Sequence, residues 1–272
     1  MLEAKSDKFW QLVDRNAEIK QIVTGFAFTE GPVVSRRGFL LFSDIPNQKI
    51  HRWERGELST FRENSNKANG LTFDHQGRLL TAEGGGRVTR TEKNGTITVL
   101  AEEKLQAPND LVYSIDGSVY FSDLQGSRVY QITRERSGVG GAPPRGEVRI
   151  VAETPAPNGV ALSPNQQQFY IADVKTGIVR VHEIDAAGGL DKGRDFAPVR
   201  TDGLKTDESG NVWMASRDGV VVYDRYGQHL GTIKPPEGPS NCCFGEGFRG
   251  LYITARKSIY HVPTRVAGTR TF

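Results

Sequence analysis

Short apolar runs recur along the chain, and a polar residue precedes each run while a turn, usually glycine-containing, follows it. In "PNDLVYSIDGSVYFSD", residues 108–123, the first run follows an Asn-Asp pair and the second run ends in an aspartate. Residues 157–173, "PNGVALSPNQQQFYIAD", repeat the pattern. Runs of β-branched and aromatic residues bounded by turn residues predict β-strands. The pattern therefore indicates a series of repeated short strands.

The repeat has six copies, and each copy begins with a polar anchor residue. These anchors are Glu30, Asn69, Asn109, Asn158, Asp202 and Asn241. Successive anchors lie 39 to 49 residues apart, and the longest spacing contains a Gly- and Pro-rich stretch, residues 134–146, that is typical of a loop insertion. Six copies of four short strands predict an all-β fold, a six-bladed β-propeller with four-stranded blades. A β-sandwich with extra strands is the alternative, and six matching registers disfavour it.

The sixth copy has no fourth strand of its own. The segment "EIKQIVTG", residues 18–25, has the pattern of a strand and is predicted to complete that blade. Such pairing would close the ring and cover an exposed sheet edge. The prediction is a single propeller domain over residues 1–272, with its last blade closed by an N-terminal strand. Residues 7–15 are the best candidate for a helix.

The composition is that of an ordinary globular protein, with 37% hydrophobic and 25% charged residues. The net charge of +3 is small and acidic residues are interleaved with basic ones, which argues against a nucleic-acid partner. No apolar run is long enough for a membrane span, and the N-terminus lacks the apolar segment of a secretory signal. The two cysteines, Cys242 and Cys243, are adjacent, which favours a reducing, cytoplasmic location. The pattern specifies no oligomeric state.

The six anchors are predicted to converge at one place. The first strand of each propeller blade lines the central channel, so the residues that begin these strands share one mouth of the channel. The second strand runs back antiparallel, and its last residue returns to the same face. This places a second set of carboxylates near the anchors, namely Asp44, Glu83, Asp123 and Asp173.

All six anchors carry a side-chain oxygen, and none is His or Cys. Two carboxylates among several amides suit a hard divalent cation, and Ca²⁺ is the first choice because it accepts about six to eight oxygen ligands in flexible geometry. Mg²⁺ and Mn²⁺ are competitors, and Zn²⁺ is less natural without His or Cys. The alternative is that Asn and Asp simply form turns before strands. Glu30 is a poor turn former and therefore indicates another role.

The two motifs quoted above, together with "FTEGPVV", "NGLTFDHQGRLLTAE" and "DGLKTDESGNVWMAS", resemble those of the gluconolactonase and regucalcin (senescence marker protein) family. The resemblance covers residues 27 to about 262. It implies a six-bladed propeller that holds one divalent ion at the channel mouth and hydrolyses lactones. It also implies metal ligands at the Glu of "EGP", the Asn of "PNG" and the Asp of "DG", which here are Glu30, Asn158 and Asp202.

A related group, the diisopropyl fluorophosphatases, has a further Asn ligand that corresponds to Asn109 and extends the implied chemistry to phosphotriesters. The chain departs from many bacterial members of the family at two positions near the expected pocket rim. Gly84 stands where they have His, and Leu124 stands where they have Pro. These departures concern the identity of the lactone more than the chemistry.

The sequence therefore predicts a divalent-metal-dependent hydrolase that opens a lactone, such as gluconolactone or a related cyclic ester. Asp202 is the predicted catalytic carboxylate, as base or nucleophile, and Asp123 or Glu83 is the alternative if Asp202 is only a metal ligand. Asn69, Glu83, Asp123 and Asn241 are predicted to contact the substrate. No "GxSxG" or "HExxH" motif supports another hydrolase mechanism. The alternatives are a phosphotriesterase-like hydrolase and a non-enzymatic propeller that binds a ligand or protein.

Overall fold

A computed structural model describes residues 1–136, 146–245, 247 and 249–269 of the chain. Residues 137–145, which make up most of the predicted loop insertion at 134–146, lie outside the described residues. The first elements are the strand β1 (Leu2–Ala4), the one-turn helix α1 (Phe9–Leu12) and the strand β2 (Lys20–Thr24).

The remaining strands follow in six consecutive groups, one for each blade. Blades one to three contain β3 (Thr29–Val34), β4 (Leu40–Asp44), β5 (Lys49–Glu54), β6 (Glu57–Arg62), β7 (Ala68–Phe73), β8 (Leu79–Glu83), β9 (Arg87–Thr91), β10 (Ile97–Ala101), β11 (Pro108–Tyr113), β12 (Val119–Asp123), β13 (Arg128–Ile132) and β14 (Val148–Glu153). Blades four to six contain β15 (Pro157–Leu162), β16 (Gln168–Asp173), β17 (Ile178–Glu183), β18 (Arg194–Ala197), β19 (Thr201–Thr206), β20 (Val212–Ser216), β21 (Gly219–Tyr223), β22 (His229–Ile233), β23 (Pro239–Gly245), β24 (Gly250–Ala255) and β25 (Ser258–Pro263).

These strands form six antiparallel sheets arranged as a six-bladed β-propeller, which confirms the predicted fold. The first strand of every blade is the innermost one. Each inner strand contacts the inner strands of both neighbouring blades, and the contact between β23 and β3 closes the ring. The channel is therefore lined by β3, β7, β11, β15, β19 and β23.

The N-terminal segment completes the ring in two places. Strand β2 pairs with β25, with Lys20 opposite His261 and Thr24 opposite Ser258, so the predicted closing strand at residues 18–25 is confirmed. Strand β1 pairs with β22 and gives blade five a fifth strand, which the sequence pattern did not predict. The predicted helix at residues 7–15 is reduced to the single turn of α1, whose Phe9 is fully buried.

The core consists of the apolar interfaces between neighbouring blades. Inner strands such as β11 and β15 are buried at every residue, whereas the outer strand β10 alternates between exposed and partly buried residues up to its buried last residue. Side chains of adjacent blades interlock: Leu80 of blade two and Phe121 of blade three belong to one buried cluster. This packing fixes the positions of the inner strands and so of the residues that face the channel.

Glycine permits the inner strands to approach closely at the channel mouth. Gly31 has a φ of 51°, and a Cβ added there would lie 1.9 Å from the carbonyl oxygen of Asn69 on the next blade. A side chain is therefore excluded on both conformational and steric grounds. Among the described residues, the structure contains no helix with the length and apolar character of a membrane span.

Candidate active site at the channel mouth

The starts of the inner strands bring the predicted anchors to one mouth of the channel. Five of them are the second residue of their strands, namely Glu30, Asn69, Asn109, Asn158 and Asp202. A bulge in each of these blades interrupts strand pairing directly at or after the anchor. The bulge separates the anchor from the regular ladder, so its side chain is free of the strict alternation of a paired strand.

Blade six has a different register from the one that the sequence spacing indicates. Asn241 is the third residue of β23, and Ser240 occupies the second place. The Asn241 Oδ1 accepts a hydrogen bond from the Cys242 amide at 2.9 Å, just as Asp110 Oδ1 accepts one from the Leu111 amide at 2.9 Å. Asn241 therefore aligns with Asp110, one residue further along its strand than the other anchors.

Glu30 is buried beside two hydrogen-bond donors. Its Oε2 accepts from the Gly31 amide at 2.5 Å and from Asn241 Nδ2 at 3.0 Å, and the residue is 3% exposed. Burial raises the pKa of Glu30 well above its usual value, and the negative charges of Asp202 and Asp110 raise it further. The carboxylate is thus held in a place where negative charge is unfavourable unless a cation is added.

Asp202 lies in a similar environment. Burial raises the pKa of Asp202 to about 7, and the Asp110 carboxylate contributes to the same shift. A hydrogen bond from Asn158 and the positive charge of Arg256 act in the opposite direction. Burial and the Asp110 charge therefore disfavour the ionised form of Asp202, and a bound cation would offset both effects.

The structure adds two charged channel residues that the repeat pattern did not single out, Asp110 and Lys205. The Lys205 ammonium lies 3.5 Å from Asp110 Oδ2 and donates to the Leu204 carbonyl at 3.0 Å. Asp110 belongs to β11 in blade three and Lys205 to β19 in blade five. Because blade four lies between them, this ion pair spans the channel.

The repeat does contain a signal for Asp110. The third residue of the inner strand is glycine in four blades: Gly31, Gly70, Gly159 and Gly203. Asp110 and Asn241 take this place in the other two blades, and each projects over the glycine of the preceding blade. A Cβ on Gly70 would lie 2.7 Å from Asp110 Oδ1, and one on Gly203 would lie 2.0 Å from Asn241 Cγ.

The side chains at the channel mouth determine which kind of metal ion could bind there. Within the described part of the chain, no three His, Cys, Asp or Glu side chains are grouped to hold a metal. A cation at this mouth would therefore need amide oxygens in addition to Glu30 and Asp202. A further amide oxygen at this mouth, Asn69 Oδ1, is buried and accepts no hydrogen bond from the described residues, so it is available to a bound ligand. Because positive charge would also offset the repulsion between the two carboxylates, the residues fit a hard cation with mixed carboxylate and amide ligands.

Comparison with known proteins identifies the family. The model of the family described as "SMP-30/Gluconolactonase/LRE-like region" matches residues 28–257. The chain belongs to this family. The matched region includes every anchor and all six inner strands.

Three proteins similar to this chain match most of the propeller. The gluconolactonase of Zymomonas mobilis is 28% identical, over 94% of this chain and 84% of that protein. The pentonolactonase of Haloferax volcanii is 26% identical, over 79% of this chain and 76% of that protein. The solved structure of a gluconolactonase from Xanthomonas campestris has a TM-score of 0.87 at 25% identity, and the match covers 97% of this chain and 94% of that one.

Two predicted substrate contacts of this SMP-30/gluconolactonase-like propeller, Glu83 and Asp123, have structural partners in the blades. The oxygens of Glu83 accept hydrogen bonds from four side chains, those of Arg62, Asn66, Arg87 and Thr89. The oxygens of Asp123 accept from the backbone amides of residues 106, 107 and 126. Both residues are fully buried, so their contacts favour a role in holding loops rather than a substrate.

Asp44 and Asp173, at the same position in blades one and four, also have hydrogen-bond partners within the chain. Asp44 accepts hydrogen bonds from the backbone amides of residues 27 and 28. Asp173 accepts from those of residues 156, 175 and 176. The carboxylates that end the second strands thus fix the loops around the mouth.

Proposed function

We propose that this protein is a divalent-metal-dependent hydrolase that opens a lactone, with a sugar lactone as the leading substrate class. The observation that carries the proposal is the placement of the buried carboxylate of Glu30 and the partly buried carboxylate of Asp202 in one ring with the amides of Asn109 and Asn158. The support for a lactone comes from the relatives, because two proteins that match most of this chain are a gluconolactonase and a pentonolactonase.

Four residues would hold the cation: Glu30, Asn109, Asn158 and Asp202. Ca²⁺ is our first choice because all four ligands offer oxygen and the set mixes charged with neutral groups. When bound, such a cation polarises the lactone carbonyl and stabilises the negative charge that develops on its oxygen.

Asp202 is the proposed catalytic residue. Its carboxylate removes a proton from a water molecule as the water oxygen forms a bond to the lactone carbonyl carbon. The ring carbon–oxygen bond then breaks, and the proton returns to the ring oxygen, which leaves as a hydroxyl group. Asn158 orients Asp202 through their hydrogen bond, and Asn69 and Asn241 are the proposed contacts for substrate hydroxyl groups.

The two cysteines have no part in this chemistry. Both are free and buried, and burial raises the pKa of the Cys242 thiol to about 12. A neutral thiol is a poor nucleophile and a poor metal ligand. Free, adjacent cysteines also support a cytoplasmic location for the enzyme.

Asp202→Asn and Asn158→Ala together test the proposal. Asp202→Asn keeps an oxygen ligand but removes the base, so we expect its kcat for lactone hydrolysis to stay about a hundredfold to ten-thousandfold low at saturating Ca²⁺. Asn158→Ala removes only an amide, and we expect high Ca²⁺ to restore a large part of its activity. The measurement is the rate of acid release from a panel of sugar and aliphatic lactones at increasing Ca²⁺.

Three results would count against the proposal. Near-normal turnover by Asp202→Asn at saturating metal would remove Asp202 from the catalytic step. Turnover of phosphotriesters without turnover of any lactone would favour the phosphotriesterase-like alternative. No turnover of any ester with Ca²⁺, Mg²⁺, Mn²⁺ or Zn²⁺ supplied would favour a propeller that only binds its ligand.

A further inference from the structure

The ion pair between Asp110 and Lys205 lies beside the proposed metal ligands, but the proposed reaction does not use it. The Asp110 side chain is 3% exposed and that of Lys205 is 25% exposed. Both Asp110 oxygens already have donors within the chain: Oδ1 has the Leu111 amide at 2.9 Å, and Oδ2 has the Val160 amide at 3.4 Å and Lys205 at 3.5 Å. Asp110 therefore lies near the proposed metal site, but both of its carboxylate oxygens already have donors within the protein.

The inner-strand residues that lie at the same height in the channel as Lys205 are uncharged. Lys205 is the fifth residue of its inner strand, and the corresponding residues of the other described inner strands are Val33, Thr72, Val112, Ala161 and Cys243. The cavity on this side of the pair has a volume of about 80 Å³, and among its described lining residues Lys205 alone is charged. The carboxylate partner of the Lys205 ammonium group is therefore Asp110, which lies on another blade and toward the proposed metal site.

Charged groups of both signs lie around the channel mouth. Three carboxylates influence one another there: Glu30, Asp110 and Asp202. Lys205 is the ammonium group that contacts this set. Burial alone would lower the pKa of Lys205, but the Asp110 carboxylate leads a set of negative groups that raise it, so the ammonium stays charged. Arg256 also places a positive charge near Asp202, whereas Lys205 is the cation that contacts Asp110.

We propose that Lys205 is a fixed internal counter-cation, which holds Asp110 in an ion pair and so keeps it out of the metal ligand set. The inference rests on the metal site proposed above and assigns a positioning role to two further residues. A bare Asp110 would offer an additional carboxylate to the cation. The Lys205 ammonium, which is part of the protein, already pairs with this carboxylate before any metal ion binds.

Three variants of the full chain separate charge balance from direct ligation. Lys205→Met adds one net negative charge, and we expect it to bind Ca²⁺ about tenfold more tightly. Asp110→Asn leaves the ammonium unpaired beside the site, and we expect about tenfold weaker binding. The double variant restores the original net charge, so its Kd for Ca²⁺ should return to within about threefold of the unmodified protein. Calorimetric titration of the chelator-treated proteins gives Kd and the number of bound ions.

Lys205→Arg keeps the charge and provides a second test at the same position, with an expected Kd close to that of the unmodified protein. Arg128→Met is the matched control, because Arg128 lies on the same face of the disc and pairs with Glu153 instead. We expect no change in its Kd. A thermal melt of each variant verifies that the propeller has folded.

Two outcomes overturn the inference alone. A double variant that binds Ca²⁺ as weakly as Asp110→Asn would make Asp110 a ligand, and an unchanged Kd in both Lys205→Met and Asp110→Asn would show that the pair does not set the charge of the site. If the unmodified protein binds no divalent ion in the same titration, the metal site of the proposed function fails, and the inference fails with it.

Discussion

Glu83 stabilises the channel mouth through ion pairs with two arginine side chains. The carboxylate is fully buried, and two of its partners are the guanidinium groups of Arg62 at 2.7 Å and Arg87 at 2.5 Å. Removing one partner of a buried ion pair leaves the other without compensation. We therefore expect Glu83→Gln to lower the free energy of unfolding at pH 7 by about 3 kcal/mol, as measured by urea denaturation.

The same variant has a predictable pH dependence. Burial alone would raise the pKa of Glu83, but the hydrogen bond from Thr89 and the guanidinium groups of Arg87 and Arg62 outweigh it and hold the pKa below the usual 4.5. A lowered pKa means that the stabilisation is complete above pH 4.5 and disappears as the pH falls through the folded-state value. The stability difference between the two proteins should therefore shrink in acid. A difference that stays constant from pH 7 to pH 3 would contradict this account.

The sequence predicted the residues of the site to different extents. Glu30 and Asp202 were recognisable because they are the carboxylates among the anchors. Asn241 was identified as an anchor, but its register was one residue off, since β23 takes an extra position that spacing alone does not reveal. Lys205 was missed because its partner Asp110 is two blades away, and contacts across a channel leave no local pattern.

The strands were predictable because the order of short apolar runs and turns repeats six times. Among the strands of the described residues, β1 alone escaped this reasoning. It has three residues, "LEA", which are too few to show a period, and its position is determined by the free edge of β22. The helix was overestimated because apolar residues near Phe9 pack against blades five and six, which requires no more than one turn.

Deletion of the N-terminal segment distinguishes the contributions of the two added strands. Removing residues 1–4 uncovers the edge of β22 but leaves the ring closed, so we expect a modest loss of thermal stability with a cooperative melt. Removing residues 1–25 also takes away β2, which exposes β25 and opens blade six. This longer deletion should aggregate or lose cooperative unfolding. If it melts like the intact chain in calorimetry, β2 does not contribute to closure.

The whole propeller should respond to the metal, because the proposed ligands come from four different blades. An ion that binds only the folded chain at a hundred times its Kd stabilises it by about 2.7 kcal/mol. For a domain of this size we expect a Tm increase of about 5–10 °C on adding Ca²⁺ to chelator-treated protein. Asn158→Ala should show a smaller increase at the same concentration. An unchanged Tm with every divalent ion tested would argue against the site.

The pairing of β2 with β25 also determines the order in which the molecule can be completed. Thr24 and Ser258, whose hydroxyl groups are hydrogen-bonded, are 234 residues apart in the sequence. At synthesis rates of about 5–20 residues per second, the N-terminal strand would wait on the order of ten to fifty seconds for its partner to leave the ribosome. Blades one to four can form during this interval, whereas the ring can lock only after translation has passed β25. The nascent chain therefore carries an unpaired strand throughout synthesis, and its exposed, charged Lys20 disfavours premature association of that strand.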